Sequence, residues 1–185
     1  MERSYEELIQ IAATRKGAAE LEHYLWYETC WADAPASTRY HMNVPGGLVT
    51  HSVNVVNTLL ALQPVLAPGI SPESCVIVGL YHDAGKIGVP GAPYYLPQTS
   101  QWHRDKLGQN YIVNDALTHI DIATRSLMIV SRFVDLTDEE AQAIRYHDGQ
   151  YVNDNKSVAH KELPLTRLIQ FADSWSAGVL EAKTS

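Results

Sequence analysis

Leu48, His51, Val55, Leu59 and Leu62 fall at spacings of three and four residues, so one predicted helix has an apolar face with a histidine set into it. That constraint is severe. A face patterned for burial takes an imidazole away from water, and a buried polar group is costly unless it finds a partner. The same conflict recurs along the chain. An apolar helix starting near Pro72 runs through Val76, Ile77 and Leu80 into His82-Asp83. Ala141, Ile144 and His147 share one helical face. Leu165, Leu168, Ile169, Ala172, Ser176 and Val179 form a stripe with Asp173 at its edge. Long runs of alternating apolar and polar residues are missing, so an all-α fold with little sheet is expected.

Start and stop signals divide the chain. Ser4 with Glu7 forms a capping-box pattern for a first helix over 4–14, and a second is expected over 18–31. Pro45-Gly46-Gly47 marks a loop before the helix that begins near Leu48, which Pro64 and Pro68 are expected to end. The helix from Pro72 is expected to reach Lys86, loosened by Gly85 and Gly88. Residues 88–117, with Pro90, Pro93 and Pro97, look like one long irregular connection, which a compact domain seldom carries without a use. Helix signals return at His119 and continue through Ile122, Leu127, Val130 and Phe133. Thr137 with Glu140 repeats the capping box before a helix ending near His147, and the last helix starts at Pro164.

At 185 residues the chain suffices for one domain with a sizeable core, and a single domain over 1–185 is expected. No apolar stretch is long enough to cross a bilayer or to serve as a leader, so an intracellular, cytoplasmic protein free of membrane is expected. Cys30 and Cys75 give no disulfide framework and, lacking a CxxC partner, no thiolate zinc site. The net charge of −7 excludes broad binding to duplex nucleic acid, which needs a basic face. A small phosphorylated substrate stays open, because a metal centre supplies positive charge locally.

His51, His82, Asp83, His119, His147 and Asp173 are the candidate ligands. Imidazole and carboxylate without thiolate suit Mn, Fe, Co, Ni or Zn, the usual setting for a hydrolytic metal. Neighbouring helical residues project about 100° apart. His82 and Asp83 can therefore share one ion only at a helix end, or else Asp83 bridges two ions, which would sit about 3.5–4 Å apart. Any single histidine here is more often a hydrogen-bonded core residue than a ligand. The joint pattern across four helices is harder to assign to packing.

Gly46-Gly47-Leu48-Val49-Thr50-His51-Ser52, then Gly79-Leu80-Tyr81-His82-Asp83-Ala84-Gly85-Lys86, then Phe171-Ala172-Asp173 resemble the ordered H…HD…D signature of the HD-domain superfamily of metal-dependent phosphohydrolases. The resemblance covers roughly residues 40–181. It is similar in flavour to the HD domain of bacterial 3′→5′ exoribonucleases and of phage and bacterial HD proteins. It implies a helical HD bundle whose long loop faces the substrate. It also implies core ligands at His51, His82, Asp83 and Asp173. Members with two metals add two histidines in between, and His119 and His147 fit those places. The usual second motif is HH, where this chain has His147-Asp148, and the GYP motif of cyclic-dinucleotide phosphodiesterases is missing after His147.

The resemblance implies one or two divalent ions (Mn, Fe, Co, Ni, Mg or Zn) and attack of metal-activated water on a phosphate ester or anhydride. Asp83 would orient that water and Lys86 would neutralise a phosphate oxygen. Lys86, Arg104, Lys106 and Arg125 are the candidate substrate-binding cations. Tyr94, Tyr95, Trp102 and Tyr111 could stack a nucleobase, or they could pin the loop to the domain. His41 and His160 are placed outside the metal shell, and His23 and His103 carry no signal. The expected partner is a small phosphorylated compound, a nucleotide or short oligonucleotide; a homo-oligomer is compatible with this. A di-iron oxygenase and a non-catalytic nucleotide-binding module are the alternatives.

Overall fold

A computed structural model describes residues 2–182. The architecture is an all-α bundle with one small hairpin. Its helices are α1 (Tyr5–Ala12), α2 (Ala18–Glu28), α3 (Gly47–Leu66), α4 (Pro72–Tyr81), α5 (Gln101–Leu107), α6 (Ile122–Val130), α7 (Asp138–Arg145) and α8 (Pro164–Trp175). The strands are β1 (Tyr95–Pro97) and β2 (Tyr111–Val113). A 3₁₀ turn, Ala84–Ile87, follows α4, and a π-type turn, Ser176–Leu180, extends α8. Among the described residues no helix is long and apolar enough to cross a membrane.

Both capping boxes form. Ser4 and Glu7 exchange side-chain and backbone hydrogen bonds at the start of α1, and Thr137 and Glu140 do so at α7. Ser71 caps α4 with Pro72 in its first turn.

The core lies where α3, α4 and α8 pack, with α1 and α7 against α4. Leu48, Val55, Val56 and Leu59 of α3 meet Cys75 to Leu80 of α4, all fully buried. Gly79 permits the closest approach. A β-carbon there would lie 2.7 Å from Val56 Cγ2 and 2.9 Å from Leu59 Cδ1. Cys75 is a free, buried thiol, whose pKa burial pushes up to about 12.

Several boundaries differ from expectation, each for a local reason. Pro64 lies inside the exposed last turn of α3, which runs on to Leu66. Its ring denies the Leu60 carbonyl a helical donor, a cost that the solvent-facing last turn lessens by leaving that end open to water. The α-form of α4 stops at Tyr81, short of Lys86. The long segment after Gly88 is not irregular throughout. β1 and β2 pair antiparallel with Tyr95 opposite Val113, Leu96 opposite Ile112 and Pro97 opposite Tyr111, and α5 lies between them. Val179 leaves the α8 stripe and is 51% exposed, because the wide π turn rotates the face after Trp175.

Candidate metal centre

Five side chains converge from four helices. His51 comes from the second turn of α3, His147 from just past α7, and Asp173 from α8. His82 is the C-cap of α4 and Asp83 follows in a bend with φ −105° and ψ 11°. That bend ends the helical 100° spacing, so two adjacent residues aim at one place. His51 Nε2 lies 3.1 Å from Asp173 Oδ1 and 3.8 Å from Asp83 Oδ2. His82 Nε2 lies 3.5 Å from Asp83 Oδ2 and 4.0 Å from Asp173 Oδ1. His147 Nε2 lies 3.5 Å from Asp83 Oδ1. Ligating atoms of His51, His82 and Asp83 sit within 4.8 Å of one another, as do those of His82, His147 and Asp173.

The far side of each ring sets its tautomer. His82 Nδ1 is 2.9 Å from the Gly79 carbonyl, and His147 Nδ1 is 2.8 Å from the Ile144 carbonyl. A carbonyl only accepts, so each Nδ1 carries a proton and Nε2 is the nitrogen turned to the centre, free to ligate once any proton on it is displaced. The Nε2 atoms of His51 and His82 are buried without a well-aligned hydrogen bond, and the close neighbour is Asp173 Oδ1, 3.1 Å from His51 Nε2. Imidazole nitrogens so placed against two carboxylates are what a cation needs and what a dry core avoids. The donor set therefore fits a divalent ion held by nitrogen and oxygen.

Electrostatics agree. Burial pulls the His51 pKa down, but Asp173 and Glu181 outweigh it and raise it to about 9. Burial likewise opposes charge on His147, and Asp83 and Asp148 raise its pKa to about 9. His82 is lowered to about 4, chiefly by burial. Against their own burial, Lys86 and the histidines hold Asp83 well below the usual carboxylate range, and His51 and His82 hold Asp173 low. Without an ion, protons on His51 and His147 and the Lys86 ammonium balance the carboxylates, the positive charge that a divalent ion would replace.

A cleft of about 320 Å³ opens over these groups. Ser37, Thr38, His41, Lys86, Tyr95 and Asp148 line it, with Asp83, His147 and Asp173 at its floor. Lys86 Nζ is 2.5 Å from Asp83 Oδ2, and burial of this ammonium is outweighed by that carboxylate, which raises its pKa. Tyr95 is pushed up to about 12, first by burial.

Not every candidate arrives. His119 is exposed in the loop ahead of α6 and belongs to none of the ligating groups among the described residues. Arg104 donates to the Gln98 carbonyl and to Gln101, tying α5 to its own loop, and Lys106 is exposed on α5. Arg125 is buried, donates to the Thr118 carbonyl and packs behind Gly85. None of these three cations lines the cleft. Two residues outside the predicted ligand set stand beside His51, one of them His41, which the sequence reading places outside the metal shell but which shares a ligating group with His51 and Glu181. His41 brings its ring to 4.8 Å, and Glu181 brings a carboxylate to 3.0 Å from Nδ1. Neither lies on a predicted apolar stripe, so no periodic signal marks them.

The family model described as HD domain matches residues 48–178, well over half of the chain. No curated protein and no solved structure matches it.

Proposed function

The chain belongs to the HD-domain family, and we propose that it is a metal-dependent phosphohydrolase acting on the phosphate ester or anhydride of a nucleotide or short oligonucleotide. One observation carries this reading. The buried Nε2 atoms of His51 and His82 face Asp83 and Asp173 at the floor of a cleft that also presents Lys86.

His51, His82, Asp83 and Asp173 would hold the ion, with His147 completing the set. A divalent ion bound there supplies Lewis acidity to a phosphate oxygen and lowers the pKa of water. The chain does the rest. The carbonyls of Gly79 and Ile144 fix the rings of His82 and His147. Lys86 holds an ammonium beside Asp83, where it can offset charge gathering on phosphate oxygens. The hydroxyls of Ser37, Thr38 and Tyr95 border the same space and can hydrogen-bond the organic part of a substrate. A cleft of about 320 Å³ suits a small ligand. The net charge of −7 favours local capture of phosphate over general attraction to polyanions.

The test is a hydrolysis screen of nucleoside mono-, di- and triphosphates, cyclic nucleotides and short RNA or DNA with Mn, Co, Mg, Fe and Ni. Turnover that requires a divalent ion and disappears in Asp83→Ala is expected. Oxygen uptake in place of phosphate release, or an Asp83→Ala protein as active as the parent, overturns the proposal.

A further inference from the structure

The three imidazoles of the centre are not held alike. His82 and His147 each rest Nδ1 on a backbone carbonyl. His51 rests Nδ1 on a carboxylate, with Glu181 Oε2 at 3.0 Å and Oε1 at 3.1 Å. We propose that Glu181 is the positioning residue of the centre, accepting the His51 Nδ1–H and holding that ring with Nε2 turned to Asp83 and Asp173. This rests on the metal-centre reading above.

The local structure supports a dedicated seat. The Glu181 side chain is 0% exposed. Besides His51 it accepts from Asn54 Nδ2 at 2.9 Å, three residues further along α3 and so on the same helical face. A carboxylate buried between an imidazole and an amide, with no lysine or arginine among the described residues bonded to it, is expensive as a purely structural device. The backbone makes an unusual turn to deliver it. The amide of Glu181 bonds the Ser176 carbonyl at 2.9 Å, five residues back, closing the π turn. Such turns re-aim the residue that follows them and often occur at functional sites. Here the turn brings Glu181 back against α3.

The consequence is chemical. A carboxylate on Nδ1 fixes the tautomer as a carbonyl does, and it also pushes electron density toward Nε2, making that nitrogen a stronger ligand. Of the three imidazoles, His51 is the one whose distal nitrogen rests on a carboxylate. Its two nitrogens lie 3.0 Å and 3.1 Å from two different carboxylates, Glu181 and Asp173. Glu181 lies just beyond residue 178, where the family match ends.

Titration of the metal-free full chain with Co²⁺, followed by its visible absorption and by competition with a chelator, tests the inference. Glu181→Ala should weaken Co²⁺ binding roughly 10- to 100-fold. Glu181→Gln, which keeps the volume and loses the charge, should weaken it too. In a His51→Ala background the Glu181 substitutions should cost nothing further, because the ring they act through is gone. Equal losses in both backgrounds would make Glu181 merely structural and overturn the inference. So would Co²⁺ binding by Glu181→Gln that matches the parent. A second ion in the parent, lost with Glu181→Ala, would make Glu181 a ligand in its own right and also overturn it. A parent chain that takes up no Co²⁺ fells the metal-centre reading first and this inference with it.

Discussion

Lys86 Nζ sits 2.5 Å from Asp83 Oδ2, the same oxygen that lies 3.5 Å from His82 Nε2 and 3.8 Å from His51 Nε2. One carboxylate oxygen therefore serves an ammonium on one side and the Nε2 nitrogens of the centre on the other. The ammonium competes with a divalent ion for that oxygen and repels it. Lys86→Met should accordingly leave divalent-ion binding as tight as in the parent or tighter. Turnover should fall by roughly 10²–10³, the loss typical when one preorganised charge stabiliser is removed. Without metal, the variant leaves a buried carboxylate with fewer partners, so its unfolding midpoint should drop and recover on metal addition. Calorimetric metal titration beside steady-state rates checks this. Loss of metal binding in Lys86→Met would show the lysine to be part of the ligand scaffold instead.

Packing accounts for Gly85, the residue directly after Asp83-Ala84 in the motif. A β-carbon there would lie 2.3 Å from the Ile122 carbonyl oxygen and 3.0 Å from Arg125 Cβ. Its amide also donates to Ser126 Oγ at 2.8 Å. The turn carrying Asp83 and Lys86 is thus pressed flat against α6. Gly85→Ala should destabilise the protein by about 1–3 kcal/mol, the usual cost of forcing extra volume into packed structure. It should also weaken metal binding, since the displaced turn carries a ligand. Urea unfolding and metal titration on the same sample measure both effects. An alanine variant of parental stability would mean that α6 yields easily.

How much of this was legible in the sequence varies by residue. His51 announced itself because it interrupts a stripe of leucines and valines, and His82-Asp83 because they close an apolar helix. Those signals are local, and periodicity carries them. His41 and Glu181 reach His51 by tertiary packing across 10 and 130 residues of chain, and nothing in their neighbours foretells it. The cations Arg104 and Lys106 lie on α5, which does not line the cleft. Three-residue strands such as β1 and β2 are too short to show a period of two, so the hairpin escaped notice. His119 looked like a helical residue, but Asp121 caps α6 two positions later and leaves it in the loop.

Away from the centre, Arg15 joins three elements. Its guanidinium bonds Glu73 of α4 at 2.9 Å and Glu140 of α7 at 2.9 Å, just past the end of α1. Burial pushes the Glu140 carboxyl up, but the Arg15 guanidinium and the Thr137 amide outweigh it and hold the pKa below the ordinary 4.5. A carboxyl lowered in the folded state stabilises fully above its unfolded value, and that stabilisation is lost as pH falls through the folded value. Glu140→Gln should therefore cost roughly 1.5–3 kcal/mol at pH 7, the range for hydrogen bonds to charged groups. The gap between variant and parent should narrow as pH drops below about 4.5. Urea unfolding of both proteins from pH 7 to pH 3 checks it. A gap that stays constant with pH would show that the capping bond to Thr137, and not the charge, dominates.

The metal count follows from which histidines arrive. The Nε2 atoms of His82 and His147 lie with an Asp173 oxygen inside 4.8 Å, and those of His51 and His82 do so with Asp83. The two groups share His82 and overlap in one small space. A third ligating group, His41, His51 and Glu181, lies on the far side of the His51 ring, where Nδ1 already rests on the Glu181 carboxylate, and His119 stands exposed in its loop. One tightly held ion per chain is the expected content. His119→Ala should keep parental metal content and turnover. His147→Ala should lose metal affinity, because its Nε2 is already turned inward by the Ile144 carbonyl. Elemental analysis after dialysis against a weak chelator, on parent and both variants, decides it. Two ions per parent chain, with one lost in His119→Ala, would require the loop before α6 to fold inward over the cleft.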